Sequence, residues 1–346
     1  MPQHLEINRE ERKVDKAKKG NFITNNPIVK AIGTQKLIAL LALIAIYVIF
    51  GMINPAFRTY STLVNIFDAS YYIGLMAIGV TFAITSDGID LSIGTVLTCS
   101  ALISGCLVTK YNLPVALGLV VCVLIGMLFG LLNGVMVSYM GLPPFIATLG
   151  SMMLSKGIGS IFTKAQSITW PQATTEQGWF RNIFKINQNG ILIPTGFILL
   201  IVMAILASIL LNKTRPGRYI LALGSNSEAT RLSGVNVAKW RTLAYVISGT
   251  MAGIAGLAYA SIYSTILPGG GAGFELDAIA GVVIGGTSMS GGYGTISGTL
   301  IGVFIMSILK TGLPFIGLQT HYQQVATGIV LVFAVFMDVV NRKKKN

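Results

Sequence analysis

From Leu37 onward the chain alternates long apolar runs with short polar breaks, and most runs match the thickness of a hydrocarbon layer. A spanning helix needs about 20 mostly apolar residues. On that measure spans fall at roughly 37–53, 69–85, 94–109, 114–139, 144–163, 191–211, 242–263, 276–288, 294–309 and 320–340. The fourth run is long enough to tilt, and the eighth is too short to be expected to cross in full. The pattern predicts an all-α polytopic membrane protein of about ten helices. It divides the chain into a basic N-terminal segment (1–36), a transmembrane domain (37–340) and a basic tail (341–346).

One break between spans is long, polar and internally organised. Within 212–241 runs "SNSEATRLSGVNVAKWR", residues 225 to 241. Ser225 followed three residues later by Glu228 has the spacing of a capping box, in which serine and glutamate satisfy each other's end of a first turn. Gly234 stands where a glycine cap would end the helix after about two turns. A helix that short is not stable alone in water, so it is expected to dock on a partner surface.

Composition agrees with a membrane setting: 53% of residues are hydrophobic and 11% charged, against about 25% charged in soluble domains. The net charge of +13 does not form a nucleic-acid stripe and is explained by topology. The segment to Lys36 holds eight lysines and arginines, the 212–241 break six and the tail four. That is eighteen of the 25, against six in the alternate breaks. Basic residues accumulate on the cytoplasmic face, so both termini and the short capped helix are predicted there. The first apolar run lacks a cleavage pattern and is expected to be retained. Cys99, Cys106 and Cys122 lie inside apolar runs and read as small core hydrophobes.

Ionisable groups within such runs are costly enough to require a reason. "SDGIDLSIG" places Asp87, Asp90 and Ser92 between the second and third runs, and "FELDAIAGVVIGGTSMSGGYG" places Glu275, Asp277 and Ser288 in the second half. Acid-led, glycine-broken segments in both halves of a transporter point to discontinuous helices on a substrate path. The alternative is a pair of plain loops with acids at helix N-termini, where negative charge is favoured. Lys156, in the fifth run, either pairs with a carboxylate or lies near an interface. The outward break 164–190 carries Trp170, Trp179, Phe180, Phe184 and Glu176, read as interfacial aromatics or as a docking surface. "GGTSMSGG" departs from the serine elbow because Ser290 replaces its final glycine, and a Ser288–His321 hydrolase pair is a weak alternative. No P-loop motif occurs and no His/Cys set suggests a metal, so no catalytic residue or bound cofactor is expected.

"EATRLSG", Glu228 to Gly234, resembles the E-A-A-x-x-x-G motif of permease subunits in bacterial ATP-binding-cassette importers. Thr230 replaces the second alanine, and Ala244 stands where an isoleucine is expected. The stretches "TSDGIDLSIGT", "PPFIATLGSM", "NKTRPGRYILALGSNSEATRLSGVNV", "FELDAIAGVVIGGTSMSGGYGTISGTLIG" and "YQQVATGIVLVFAV" look like the monosaccharide permeases for ribose, xylose, arabinose and galactosides. The likeness runs from about residue 36 to 340. It implies a type II importer fold with two related halves, like the ten-span permeases of vitamin B12 and iron-chelate importers. It also implies a separate ATPase chain that binds the ATP, an extracytoplasmic sugar-binding protein and a permease homodimer. Ser225, Glu228, Ala229, Thr230, Arg231 and Gly234 would form the helix that couples to the ATPase. Alternatives are the same architecture carrying a nucleoside or a sugar-like signalling molecule, and a secondary transporter using Asp87, Asp90 or Lys156.

Overall fold

In hydrocarbon a backbone amide has no partner except another backbone group, so each apolar run closes into a helix. The computed structural model describes residues 34–343 apart from residue 189. The basic N-terminal residues 1–33 and the last three residues lie outside it. The helices are α1 (Thr34–Ile53), α2 (Tyr60–Thr85), α3 (Ile93–Lys110), α4 (Val115–Ser138), α5 (Pro144–Phe162), α6 (Gly196–Lys213), α7 (Arg215–Ser225), α8 (Ser227–Leu232), α9 (Val237–Tyr263), α10 (Phe274–Ile284), α11 (Ile296–Gly312) and α12 (Thr320–Lys343). Among the described residues eight helices are long and apolar enough to cross a membrane: α1 to α6, α9 and α11. Helix α10, of 11 residues, extends only about 16 Å, which explains the short eighth run. Helix α12 has the length to cross but carries Gln323 and Gln324 in its first turns.

The boundary that moves furthest is the second: that span starts at Tyr60 rather than 69, and Asp68 within it is buried in an ion pair with Lys185. The third starts at Ile93, next to the expected 94, part-way into the bundle after a partly buried 88–92 segment.

The helices pack as two related sets. Helix α2 lies against α10 and α11 as α9 lies against α3 and α4, and α3 contacts α4 and α5 as α10 contacts α11 and α12. The sets run in opposite senses, α2 toward the short helices α7 and α8 and α9 away from them. Their central seam is α2 against α9, and beside it α4 and α9 meet most closely. Glycines four residues apart on both helices remove the side chains that would hold the backbones apart. A Cβ added at Gly126 would fall 2.3 Å from the Gly249 carbonyl oxygen, and one at Gly130 would fall 2.4 Å from that of Tyr245. Cys99, Cys106 and Cys122 are buried free thiols in this packing.

At the end opposite α7 and α8, residues 164–195 fold down as a cover. Strand β1 (Ile168–Thr169) pairs with β4 (Thr265–Ile266), and β2 (Ile186–Gln188) pairs with β3 (Ile191–Ile193). Trp170, Phe180 and Phe184 do not face outward as an interfacial belt would. They are buried, and of the four only Trp179 is exposed. The Trp170 indole donates to the Ala101 carbonyl at 3.0 Å. The Arg181 guanidinium donates to the carbonyls of Pro171 (2.7 Å) and Ser261 (2.6 Å) and to Ser264 Oγ (2.9 Å). Arginine's rigid fork of donors suits such a clamp.

Candidate functional site

The polar 212–241 break forms two short helices in series. Thr214 starts α7, its Oγ1 accepting from the Gly217 N–H, with Pro216 in the first turn. The expected Ser225–Glu228 capping box does not form. Ser225 closes α7, and Asn226, extended at φ −160°, caps α8 by accepting from the Ala229 N–H at 2.9 Å. Asparagine is as good a cap as serine, and Glu228 has a stronger partner in Arg231. The two form a fork, with Nη2 donating to Oε1 at 2.6 Å and Nε to Oε2 at 3.1 Å. These hydrogen bonds and the guanidinium charge hold the Glu228 carboxyl below its usual range. Gly234 ends the motif as expected, at φ +80°, its N–H donating to the Arg231 carbonyl.

The faces of α8 divide clearly. Thr230 is turned inward and donates to the Asn226 carbonyl at 2.8 Å. Ser225, Glu228, Ala229, Arg231 and Gly234 are exposed, as is Leu232, 77% accessible. An exposed leucine on a two-turn helix flanked by an ion pair is a small contact surface that the protein itself leaves uncovered.

Gly224, in α7, connects this surface to the bundle. A Cβ there would lie 1.9 Å from the Thr85 carbonyl oxygen, at the end of α2, and 2.6 Å from the Gly292 nitrogen. Gly292 in turn donates to the Thr85 carbonyl at 3.0 Å. The α7 backbone therefore seats directly on the end of α2 and on the 285–295 turn. Motif reading missed Gly224 and Asn226, which precede the E-A-A-x-x-x-G pattern, and Leu232, which falls on one of its unspecified positions; the cap preference of asparagine is the signal that could have marked Asn226.

The six path candidates separate into five environments. Asp87 is exposed at φ +60° in the turn after α2. Asp90 and Ser92 are buried in a knot among three helices. Asp90 Oδ1 accepts from the Ser92 N–H (3.0 Å), Ser92 Oγ (2.6 Å) and Asn133 Nδ2 (3.3 Å), while Oδ2 accepts from Ser248 Oγ (2.8 Å). A carboxylate so fully satisfied ties α4 and α9 to the start of α3. Ser288 is largely buried in the 285–295 turn, its N–H donating to the Tyr293 carbonyl. His321 follows the far end of α11, so the weak Ser288–His321 pairing is separated by a helix about 25 Å long.

Glu275 and Asp277 open α10. Glu275 is buried and accepts from the Gly273 N–H at 2.9 and 3.0 Å. A Cβ added at Gly94 would lie 2.3 Å from the Gly271 carbonyl oxygen and 2.5 Å from Glu275 Oε2. The two acid-led segments, remote in sequence, thus meet where α3 and α10 begin. Asp277 faces away from this junction. Its Oδ2 accepts from Lys310 Nζ at 2.7 Å and its Oδ1 from Thr327 Oγ1 at 3.3 Å. It lines a cavity of about 420 Å³ formed by α10, the end of α11 and the start of α12. Lys310 had looked like one charge in an outward break. Lys156 is exposed, and among the described residues the three ion pairs do not include it.

The family described as "Branched-chain amino acid transport system / permease component" matches residues 62–335, most of the chain. The protein belongs to this permease family. The permease is 39% identical over 298 residues to the ribose import permease protein of Haemophilus influenzae, covering 86% of this chain and 91% of that one. It is 37% identical to the ribose import permease protein of Escherichia coli K12 (90% and 94% covered). It is 34% identical to the galactose/methyl galactoside import permease protein of Salmonella typhimurium (89% and 94%). No solved structure matches the permease. The family description names amino-acid transport whereas these relatives are named for sugars, so cargo has to be argued separately from family.

Proposed function

We propose that the chain is the membrane subunit of an ATP-binding-cassette importer for a monosaccharide. A separate ATPase chain would drive it, and an extracytoplasmic binding protein would supply it. The observation that carries this reading is α8: a capped helix that leaves Ala229, Leu232 and the Glu228–Arg231 pair exposed, on a segment seated through Gly224 against the end of α2. Such a surface suits a cleft in a soluble motor subunit, and the seat carries a push on α8 into the spans. The import permeases named above support sugar as cargo. In this reading both chain ends and α8 face the cytoplasm, which the distribution of lysine and arginine favours, and two copies enclose one path.

The test uses Gly234→Asp and Ala229→Trp. At Gly234, among the described residues, the space for a side chain is open, so the cost is the left-handed backbone alone, about 1–2 kcal/mol. Ala229 is exposed, so tryptophan leaves the permease fold intact and overfills only a partner's cleft. Both variants should insert at normal abundance yet lose ATPase co-purification or sugar-stimulated ATP hydrolysis. Full coupling and uptake in both would show that α8 docks nowhere that matters. Uptake of a labelled nucleoside but none of ribose, fructose or galactose would establish the alternative cargo.

A further inference from the structure

The cavity beside Asp277 has a chemistry that neither the family nor the coupling motif assigns. Its lining joins Phe274 and Asp277 from α10, Lys310 from α11, and Gln323, Gln324 and Thr327 from α12. Lys310 Nζ, paired with Asp277, lies 4.7 Å from the centre of the Phe274 ring and 5.6 Å from that of Tyr72. Phe274 packs at a tilt against Tyr259, ring centres 5.4 Å apart. The aromatic wall is therefore fixed by packing, and the charged pair is fixed by its own hydrogen bond.

Three features narrow what such a cavity accepts. Its volume of about 420 Å³ lies at the small end of the range for small-molecule sites. The carboxylate and the ammonium cancel, so no net charge is left to attract an ion. Glu275, the nearest further acid on α10, turns toward Gly273 instead. What remains is an apolar wall of Leu276, Leu309, Leu313 and Phe274 carrying a few placed donors and acceptors, since each glutamine amide offers two donors and a carbonyl, and the Thr327 oxygen can still accept. A polyhydroxylated neutral molecule matches that mixture, with its C–H face on the ring and its hydroxyls on the amides and the ion pair. Gln324 is exposed in the first turns of α12, at the rim of the cavity.

We infer that this cavity is a weak monosaccharide subsite within the permease itself, an intermediate station on the translocation path. The inference rests on the sugar-importer reading and adds where, and through which residues, the sugar is held. The station must be weak, because a path that binds tightly does not release.

The permease alone, in nanodiscs without binding protein or ATPase, is titrated with D-ribose, D-fructose and D-galactose by saturation-transfer NMR. The charged sugar acid D-gluconate serves as control. At least one neutral sugar should bind saturably in the millimolar range and gluconate should not. The double variant Gln323→Ala/Gln324→Ala should weaken binding at least tenfold at unchanged thermal stability. Phe274→Leu, which keeps an apolar side chain, should weaken it independently of the amides. Unchanged binding in both variants, or gluconate binding as well as the sugars, would overturn the subsite. If no sugar binds the permease while the complete importer carries one, the subsite is wrong and the importer reading stands. If the complete importer carries no sugar either, both fall.

Discussion

Asp90 shows how a single residue changes meaning between sequence and structure. As a letter in "GIDLSIG" it is a charge in an apolar neighbourhood, equally suited to a path or to a cap. In the fold its two oxygens collect donors from Ser92, Asn133 and Ser248, and it is inaccessible. Asp90→Ala would leave those donors buried without an acceptor, at about 1–3 kcal/mol for each group left unpaired. It is expected to lower the thermal stability of the purified permease sharply. Asp90→Asn keeps one acceptor oxygen, and the Ser248 hydroxyl can rotate to accept, so its loss should be about 1 kcal/mol. Equal stability of Asp90→Ala and wild type, by thermal unfolding in detergent, would show that the knot is dispensable. The Glu228 cap fails for a related reason. Spacing identified a glutamate with something to satisfy, but Arg231, also three residues away, offered two charge-assisted bonds instead of one backbone amide.

At the scale of elements, helix type and length follow from apolar periods, while helix seating follows from where side chains are missing. Helix α8 was legible as a short capped unit, yet α7 before it and its anchorage were not, since Gly224 is one glycine among 40. Its importance comes from the Thr85 carbonyl and Gly292 lying where a side chain would be. Gly224→Ala should push α7 off the end of α2, an overpacking cost of about 1–3 kcal/mol. Gly224 faces inward, so the ATPase should still co-purify with this variant while sugar-stimulated hydrolysis and uptake fall together. Retained uptake at wild-type rate would mean that force reaches the spans by another route. Helix α10 adds the same lesson: its shortness was readable, but not that its start meets the start of α3 through Gly94 and Gly271.

For the whole molecule, the inverted packing of α2–α5 and α9–α12 places α7 and α8 at one end of the bundle and the 164–195 cover at the other. The cover is held by Arg181, Trp170 and the Lys185–Asp68 pair. It is thus a fixed surface that binding at that end would meet. The proposed orientation, argued from the lysine and arginine distribution, puts the α8 end in the cytoplasm. A reporter fused at the C-terminus is accordingly expected to be active only when it is a cytoplasmic type, such as a fluorescent protein that fails to mature outside. Activity of an alkaline-phosphatase fusion at the same site would reverse the orientation, and α8 could then meet no ATPase.

The sequence by itself determined the class of protein, the approximate spans, the clustering of basic charge in alternate breaks and the presence of a short polar helix between spans. Each of these is a one-dimensional property: a run length, a count along the chain or a local spacing. Only the tertiary structure decided which acids are bonded inside the bundle, which glycines are contact points and which outer aromatics are buried. It alone joined Asp277 to Lys310, Gln323 and Gln324 in one cavity. Those outcomes depend on residues far apart in the chain approaching within hydrogen-bonding or van der Waals distance. In a membrane, where apolar surface alone does not select one helix partner over another, such close polar and small-residue contacts settle the packing.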